Sequence, residues 1–446
     1  MAGIKRIAIN KGAVGANAAL PETSTSALII FLSPVSDIDD EIVTNVAFGE
    51  VAKITSLDEA VGIIPVNFDT EYHQVAYRQL LEFYTMAGEG TELYVMLLNS
   101  ETVSVATALE DTGNIYAKKL LVEGKGTIKQ LGVCINPYVG TTETRTDGLS
   151  TLVRAAISKA QLLYNWAYDN DKPCQILLEG RNISTSLNTL LNLHAIPVGD
   201  TILNANKVSI VIGQDWDFAN YSYQTNDVEP YEYAYPFANY ASVGKALGTV
   251  SAAAVNQSIG EVDEATGGFN LTDSLKGYFV TGGLSNHQTL KTADAFLGNL
   301  DDKGYIFPYS LFGVSGLRWN GDHVCCPIVI DDNGNINEHT IFYGRTMDYT
   351  ALALKLHFTR YLKKRAFADV TTGNLSTGVI KVMEKTANTE VFGKLFNNQL
   401  ISGGETTIDK NSDLVTPPKK LKIGFVLVPT IIIDSIEGTI FLNRSL

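Results

Sequence analysis

The stretch TEYHQVAYRQLLEFYTMAGEGTELYVMLL, residues 70–98, joins a helix to a buried strand. The helix runs from Thr70 and is stopped by Gly88, the residue type that most readily takes a left-handed exit conformation. ELYVMLL (92–98) has too few polar residues to leave one face in water, so it reads as a strand covered on both sides. The same signals recur around it. ALIIFL (27–32) is a strand, and SLDE (Ser56–Glu59) has the capping-box spacing that opens a short helix. IKQLGVCI (128–135), CQILLE (174–179) and KVSIVIG (207–213) are further strands. A helix is predicted over 147–168, where Leu149, Leu152, Val153, Ala156, Ile157, Ala160, Leu163, Tyr164 and Ala167 form one apolar stripe. Strands alternating with helices predict an α/β fold with mixed, largely parallel sheets flanked by helices.

At 446 residues, 45% hydrophobic and 18% charged, the chain has the composition of a folded, soluble protein with one large core or two to three smaller ones. A net charge of −14 makes its surface as a whole repel nucleic acid and anionic membrane. MAGIKRIAIN carries Lys5 and Arg6 but no apolar stretch of about 7–15 residues after them, so no secretory signal is expected. The greasiest run, near 425–433, contains Pro429 and Thr430 and is shorter than the roughly 20 residues a spanning helix needs. Cys134, Cys174, Cys325 and Cys326 suggest no disulfide framework and suit a reducing cytosol.

Catalytic and ligand motifs are mostly missing. GVSGL (313–317) has Leu317 where a nucleophile elbow needs its last glycine, and reads as a turn. VEGKGT lacks the loop that precedes a phosphate-binding lysine, so Lys125 belongs to a hairpin or helix-exit turn. Read as a calcium loop, DDNGNINE would put Val329 and Thr340 at the first and last ligand positions; a hairpin turning at Asn333-Gly334 fits better. In DHVCC, Asp322, His323, Cys325 and Cys326 have no second ligand pair at zinc spacing, and a buried cysteine pair is expected. The histidines stand singly, at 73, 194, 287, 323, 339 and 357. A pair of catalytic carboxylates is neither supported nor excluded. No catalytic residue, cofactor or metal is predicted, and the chain does not advertise an enzyme.

The middle and ends differ in texture. Residues 216–240 are acidic and rich in aromatics, able to stack sugar rings but more often used to glue a loop to its own domain. ASVGKALGTVSAAAV, which follows, is a helix of small residues expected to pack closely on another element. Two more helices are predicted, at about 348–367 and 376–397, then a polar loop over 401–416 and the stiff Pro417-Pro418. At the start, Ile4, Ile7 and Ile9 lie in a short strand, and the small-residue spacer 11–26 is a tether. At the end, Phe425, Leu427, Ile431 and Ile433 face one way and Val426, Val428 and Ile432 the other, so the strand is expected to be buried on both sides. No turn after them brings a partner strand back. Beyond Asp434 the pattern alternates, with Ile436, Ile440 and Leu442 on one face. Both ends either join the chain's own sheet or are donated to neighbouring copies as added strands.

KLHFTRYLKKRAF crowds Lys355, Arg360, Lys363, Lys364 and Arg365 into one predicted helix, the first four within about half its circumference. They form either a solvated helix end or a docking strip for an acidic partner.

In their order along the chain, several stretches resemble the sheath proteins of contractile phage tails and contractile injection systems. They are VAFGEVAKITSLDEAVGI, LLEFYTMAGEGTELYVMLL, YASVGKALGTVSAAAVNQSIG (240–260), GYIFPYSLFGVSGLRWNGDHVC (304–325), GRTMDYTALALKLHFTRYL (344–362) and FVLVPTIIIDSIEGTIFL. Arg345 and Asp348 stand where the family has an Arg/Asp pair, and Tyr349 replaces the lysine that often follows. The resemblance implies a structural polymer assembled in the bacterial cytoplasm into a phage tail or phage-like particle. Subunits would form six-fold rings stacked around an inner tube, linked by woven terminal arms, with baseplate and terminator proteins at the ends and neither nucleic acid nor inserted membrane as partner. It also implies a division into an arm and tether (1–26), an outer α/β domain (27–213), an exposed aromatic loop (214–240), an inner domain with a tube-facing basic helix (241–416) and a C-terminal arm (417–446). A tube subunit, or an α/β enzyme, is the alternative.

Overall fold

The computed structural model describes residues 25–33, 46–64, 71–137, 142–220, 236–264, 268–275, 278–332, 334–416 and 419–433, with backbone only at 71–74 and 236–237. Ile4, Ile7, Ile9, Ile436, Ile440, Leu442, most of the tether, Pro417-Pro418 and residues 221–235 of the aromatic segment lie outside these residues.

β1 (Thr25–Leu32) runs through the interior of a six-stranded sheet with all its residues buried. In chain order the sheet adds β2 (Val51–Ile54), β3 (Leu93–Asn99), β4 (Ile128–Cys134), β5 (Gln175–Glu179) and β6 (Val208–Val211). Their spatial order is β6-β5-β4-β1-β3-β2. Five strands are parallel, and only the edge strand β2 pairs antiparallel, with β3. The chain leaves β3 on one side of β1 and re-enters as β4 on the other, which makes the β1–β4 boundary the topological switch point.

Side-chain alternation along β1 divides the core into two layers. Ala27, Ile29 and Phe31 pack with α3 (Val105–Glu110), α4 (Ala117–Glu123) and α5 (Thr151–Asp169). Leu28, Ile30 and Leu32 pack with α1 (Leu57–Val61), α2 (Glu71–Ala87) and α6 (Val243–Ala252). The α/β expectation is therefore met: a mixed, mostly parallel sheet with helices on both faces.

Local signals behave as their chemistry requires. Ser56 caps α1 by accepting the Glu59 N–H at 3.2 Å. Gly88 leaves α2 at φ +82°, and Lys125 and Gly126, at +50° and +84°, form the exit turn of α4. α5 starts at Thr151, later than 147, because Asp147 and Gly148 take positive φ in a turn between two short paired strands. Asn333 of the expected hairpin turn lies outside the described residues; on either side of it Ile330 bridges Ile336 and the Asp331 N–H donates to the Asn335 carbonyl at 2.9 Å.

The small-residue helix packs as expected. A Cβ on Gly244 would lie 2.0 Å from the Gln79 carbonyl oxygen, and one on Gly248 2.4 Å from that of Phe83. Gln79 bridges the pair by accepting the Gly244 N–H and donating to the Ala241 carbonyl, both at 2.7 Å. α6 also contacts β4 and β5, so the packing of the first body continues past residue 240. α7 (Leu290–Asp302) closes the first core layer through Ala293 and Leu300.

α8 (Ile341–Thr359) corrects the helix expected over 348–367. It begins earlier, where Thr340 accepts the Tyr343 N–H at 3.3 Å, and ends at Thr359, well before Lys363 turns the chain at φ +57°. Its 19 residues make a rod of about 28 Å. Ile341 at one end sits in the second core layer. Ala353, Leu354 and Phe358 at the other enter a third, smaller core. That core is completed by α9 (Thr377–Ala387), a π-helical turn (Asn388–Phe392), α10 (Gly393–Asn397) and a hairpin of β7 (Gly403–Ile408) and β8 (Ile423–Val428).

This hairpin overturns two sequence expectations. The stretch 401–416 is not all loop, since β7 pairs antiparallel with β8 from Gly403–Val428 to Ile408–Ile423. The strand at 423–428 thus finds its partner upstream. Nor is it covered on both sides: Phe425 and Leu427 turn into the third core, while Val426 and Val428 are 59% and 50% exposed.

Candidate functional site

In open α/β sheets, ligands bind beyond the carboxyl ends of the strands at the switch point. Here the chain's own side chains fill the described part of that place. The Asn136 amide donates to the Phe31 carbonyl at 2.9 Å and ties the ends of β4 and β1 together. Glu179, fully buried, accepts the backbone N–H groups of Ile135 at 2.5 Å and Ala241 at 2.9 Å. Arg181 donates to the Ile135 carbonyl at 2.7 Å and pairs with Glu143 at 3.0 Å.

Burial, outweighing Arg181 and the two backbone donors, lifts the Glu179 carboxyl from 4.5 to about 7. Between those values the unfolded chain releases the proton while the fold retains it. Stability from this group is therefore full below 4.5 and is lost as pH rises to about 7. Glu179→Gln is expected to remove this fall, so the variant's unfolding free energy should gain up to about 3 kcal/mol relative to the native protein across the window. Urea melts at both ends of the range check this; parallel pH dependence of the two proteins would refute it.

Among the described residues, no group of three or more His, Cys, Asp or Glu could hold a metal ion. The four cysteines are buried and unpaired with one another, and burial pushes the Cys174 thiol up to about 12. Among the described residues, no helix is long and apolar enough to cross a membrane.

The five basic residues expected in one helix separate into two groups. Lys355 lies on α8 and pairs with Asp171 at 2.9 Å, its ammonium 4.6 Å from the Tyr168 ring centroid. Arg360, just past the helix, pairs with Glu390 at 2.8 Å. Lys363, Lys364 and Arg365 are exposed in the turn beyond it. The shared helical face does not exist, because the helix ends at Thr359, before all of them but Lys355.

The root of α8 is held by buried charge. Lys207, wholly buried just before β6, pairs with Glu338, reaches Asp348 at 3.4 Å and donates to the Gly344 carbonyl at 2.7 Å. Tyr164 of α5 donates to Asp348 at 2.6 Å. Arg345 donates to the Ala253 and Ala254 carbonyls, at 3.1 and 3.2 Å, where α6 ends. Burial lowers the Arg345 guanidinium to about 10, which leaves it charged at neutral pH. Arg345 and Asp348, singled out together in the sequence, thus anchor one helix to two other helices.

The outermost strand ends in an apolar strip. Val426 and Val428 look outward from β8, and beyond Pro429 the residues Ile431 and Ile433 are 81% and 75% exposed. A small groove between this strand end and α8 is lined by Ile336, Tyr343, Met347, Leu427 and Pro429. Charge is also unevenly divided. Residues 353–433 hold twelve Lys/Arg against six Asp/Glu, a net +6, so the rest of this −14 chain carries −20.

These features define an α/β body that carries, on a rigid helix, a small basic unit ending in an exposed apolar strand. The chain belongs to the DUF2586 family: the profile of the DUF2586 N-terminal domain matches residues 19–323, most of the α/β body. Comparison with curated proteins found no match.

Proposed function

We propose that this protein is a structural subunit of a contractile sheath, polymerising into stacked rings around an inner tube in a phage tail or phage-like particle. The observation that carries this reading is the terminal strand. β8 uses one face to complete its own small core, and it continues into an outward apolar strip of Val426, Val428, Ile431 and Ile433. A soluble monomer has little reason to expose such a strip next to a strand edge, whereas a subunit that shares sheets with its neighbours needs one. The order of sheath-like stretches along the sequence supports the same reading. On it, baseplate and terminator proteins cap the polymer, and the role of the chain is mechanical, not catalytic.

The hairpin determines where a test must cut. Phe425 and Leu427 belong to the third core, so removing 425–446 would damage the fold itself. Deleting 431–446 spares that core and is expected to yield a folded, soluble protein that forms no cylinders by negative-stain microscopy. Striated cylinders assembled from the truncated chain would sink the donated-arm reading.

A further inference from the structure

We propose that the loop following α8, residues 362–370, is a contact between copies, in which Lys363, Lys364 and Arg365 meet the acidic α/β body of a second copy while Phe367 and Val370 are buried against it. The inference rests on the polymer reading above and assigns its basic segment to a neighbouring subunit.

Residues 362–368 are exposed without a break, and Phe367 and Val370 are 80% and 102% exposed. A merely solvated charge run has no use for a phenylalanine and a valine in full contact with water; an aromatic anchor ringed by charge is the usual anatomy of an interface hot spot. The loop is also built to hold one shape. Ser376 N–H donates to the Phe367 carbonyl at 2.9 Å, Asp369 N–H to that of Asn374 at 2.7 Å and Gly373 N–H to that of Asp369 at 2.8 Å. The Asp369 carboxylate accepts the Thr371 and Thr372 N–H groups, both at 2.9 Å. Such preorganisation lowers the ordering cost of binding.

Charge selects the occupant. Of the five basic residues, Lys355 and Arg360 already have Asp171 and Glu390, and the three left over sit on the loop. The complementary surface lies on the same chain type, since the residues outside 353–433 carry −20. Among the described residues Lys363, Lys364 and Arg365 have no carboxylate partner in their own chain, although Lys355, one turn before the helix end, reaches Asp171 of the body, so the loop's charge remains for the acidic body of a neighbour. An anionic membrane is disfavoured by the repulsion of that same acidic body.

The test uses the full-length protein mixed from isotopically heavy and light preparations and treated with a carbodiimide, which joins lysine to carboxylate. Expected are heavy–light crosslinks from Lys363 or Lys364 to Asp or Glu within residues 25–340. The triple reversal K363E/K364E/R365E should lower the yield of cylinders by about tenfold or more, as should raising the salt. F367S should lower it at any salt, with thermal melting unchanged because the side chain is exposed in the monomer. If the reversal leaves cylinders intact but strips them of a co-purifying inner tube, the loop is a tube contact; this inference falls and the sheath reading stands. If the native protein never self-associates, both fall.

Discussion

Lys207→Met is expected to loosen the root of α8 and destabilise the protein by about 3–5 kcal/mol. Methionine keeps about the length of lysine's aliphatic stem but removes the cation shared by Glu338 and Asp348, at a position with no exposure to water. It also removes the donor to the Gly344 carbonyl and the ammonium that lies 5.3 Å from the Tyr164 ring centroid. Carboxylates buried around a lost cation cost far more than the intact pair contributes. The damage should be directional. α8 carries Ala353, Leu354 and Phe358 into the third core, so amide exchange should accelerate first in α8 and the C-terminal unit, while β1 and β4 remain protected. Equal exchange across the chain, or an unchanged urea midpoint, would show that Lys207 is not the anchor. In a polymer that works by moving bodies about a hinge, the same substitution should uncouple the C-terminal unit from the α/β body.

Gly244→Val is expected to prevent stable folding. Helices α2 and α6 approach until a Cβ on Gly244 would sit 2.0 Å from a backbone oxygen, inside any permitted contact. Backbone cannot step aside as a flexible side chain can, so the helices must separate, and the Gln79 bridge and the second core layer open with them. Overpacking typically costs about 1–3 kcal/mol, and more where the clash is with backbone as here. Gly298→Ala is the control: it too lies within a helix, but nothing lies within 4 Å of its added Cβ, and the change should stabilise by up to about 1 kcal/mol. Thermal melting separates the two. Soluble Gly244→Val protein with a native melting temperature would mean that α2 and α6 do not meet as closely as this.

The limits of local reading are clearest in the C-terminal third. α8 is buried on several faces, so apolar residues continue through Leu362 and Phe367 and hide where the helix ends. The end is made by tertiary contacts: Phe358 packs against Phe425 with ring centroids 5.8 Å apart, and Arg360 turns to Glu390. β7, GGETTI, has two glycines and one large apolar residue, too little for a strand pattern by itself. It becomes a strand because β8 lies beside it, and because Asn388 and Glu384 accept the N–H groups of Thr406 and Ile408 at 2.8 and 2.9 Å.

From sequence alone came the alternation of helices and buried strands, the stop at Gly88, a turn at Lys125 and the close-packing helix of small residues. Each follows from the periods 2.0 and 3.6 or from one residue's backbone freedom, and both act within a few positions. Tertiary structure alone decided that the strand at 423–428 pairs upstream, that Asn136 and Glu179 occupy the described part of the switch point, and which basic residues find a carboxylate within the chain. Lys355 meets its carboxylate 184 positions away, and hydrogen bonds and Coulomb attraction act through space, so no window along the chain contains them.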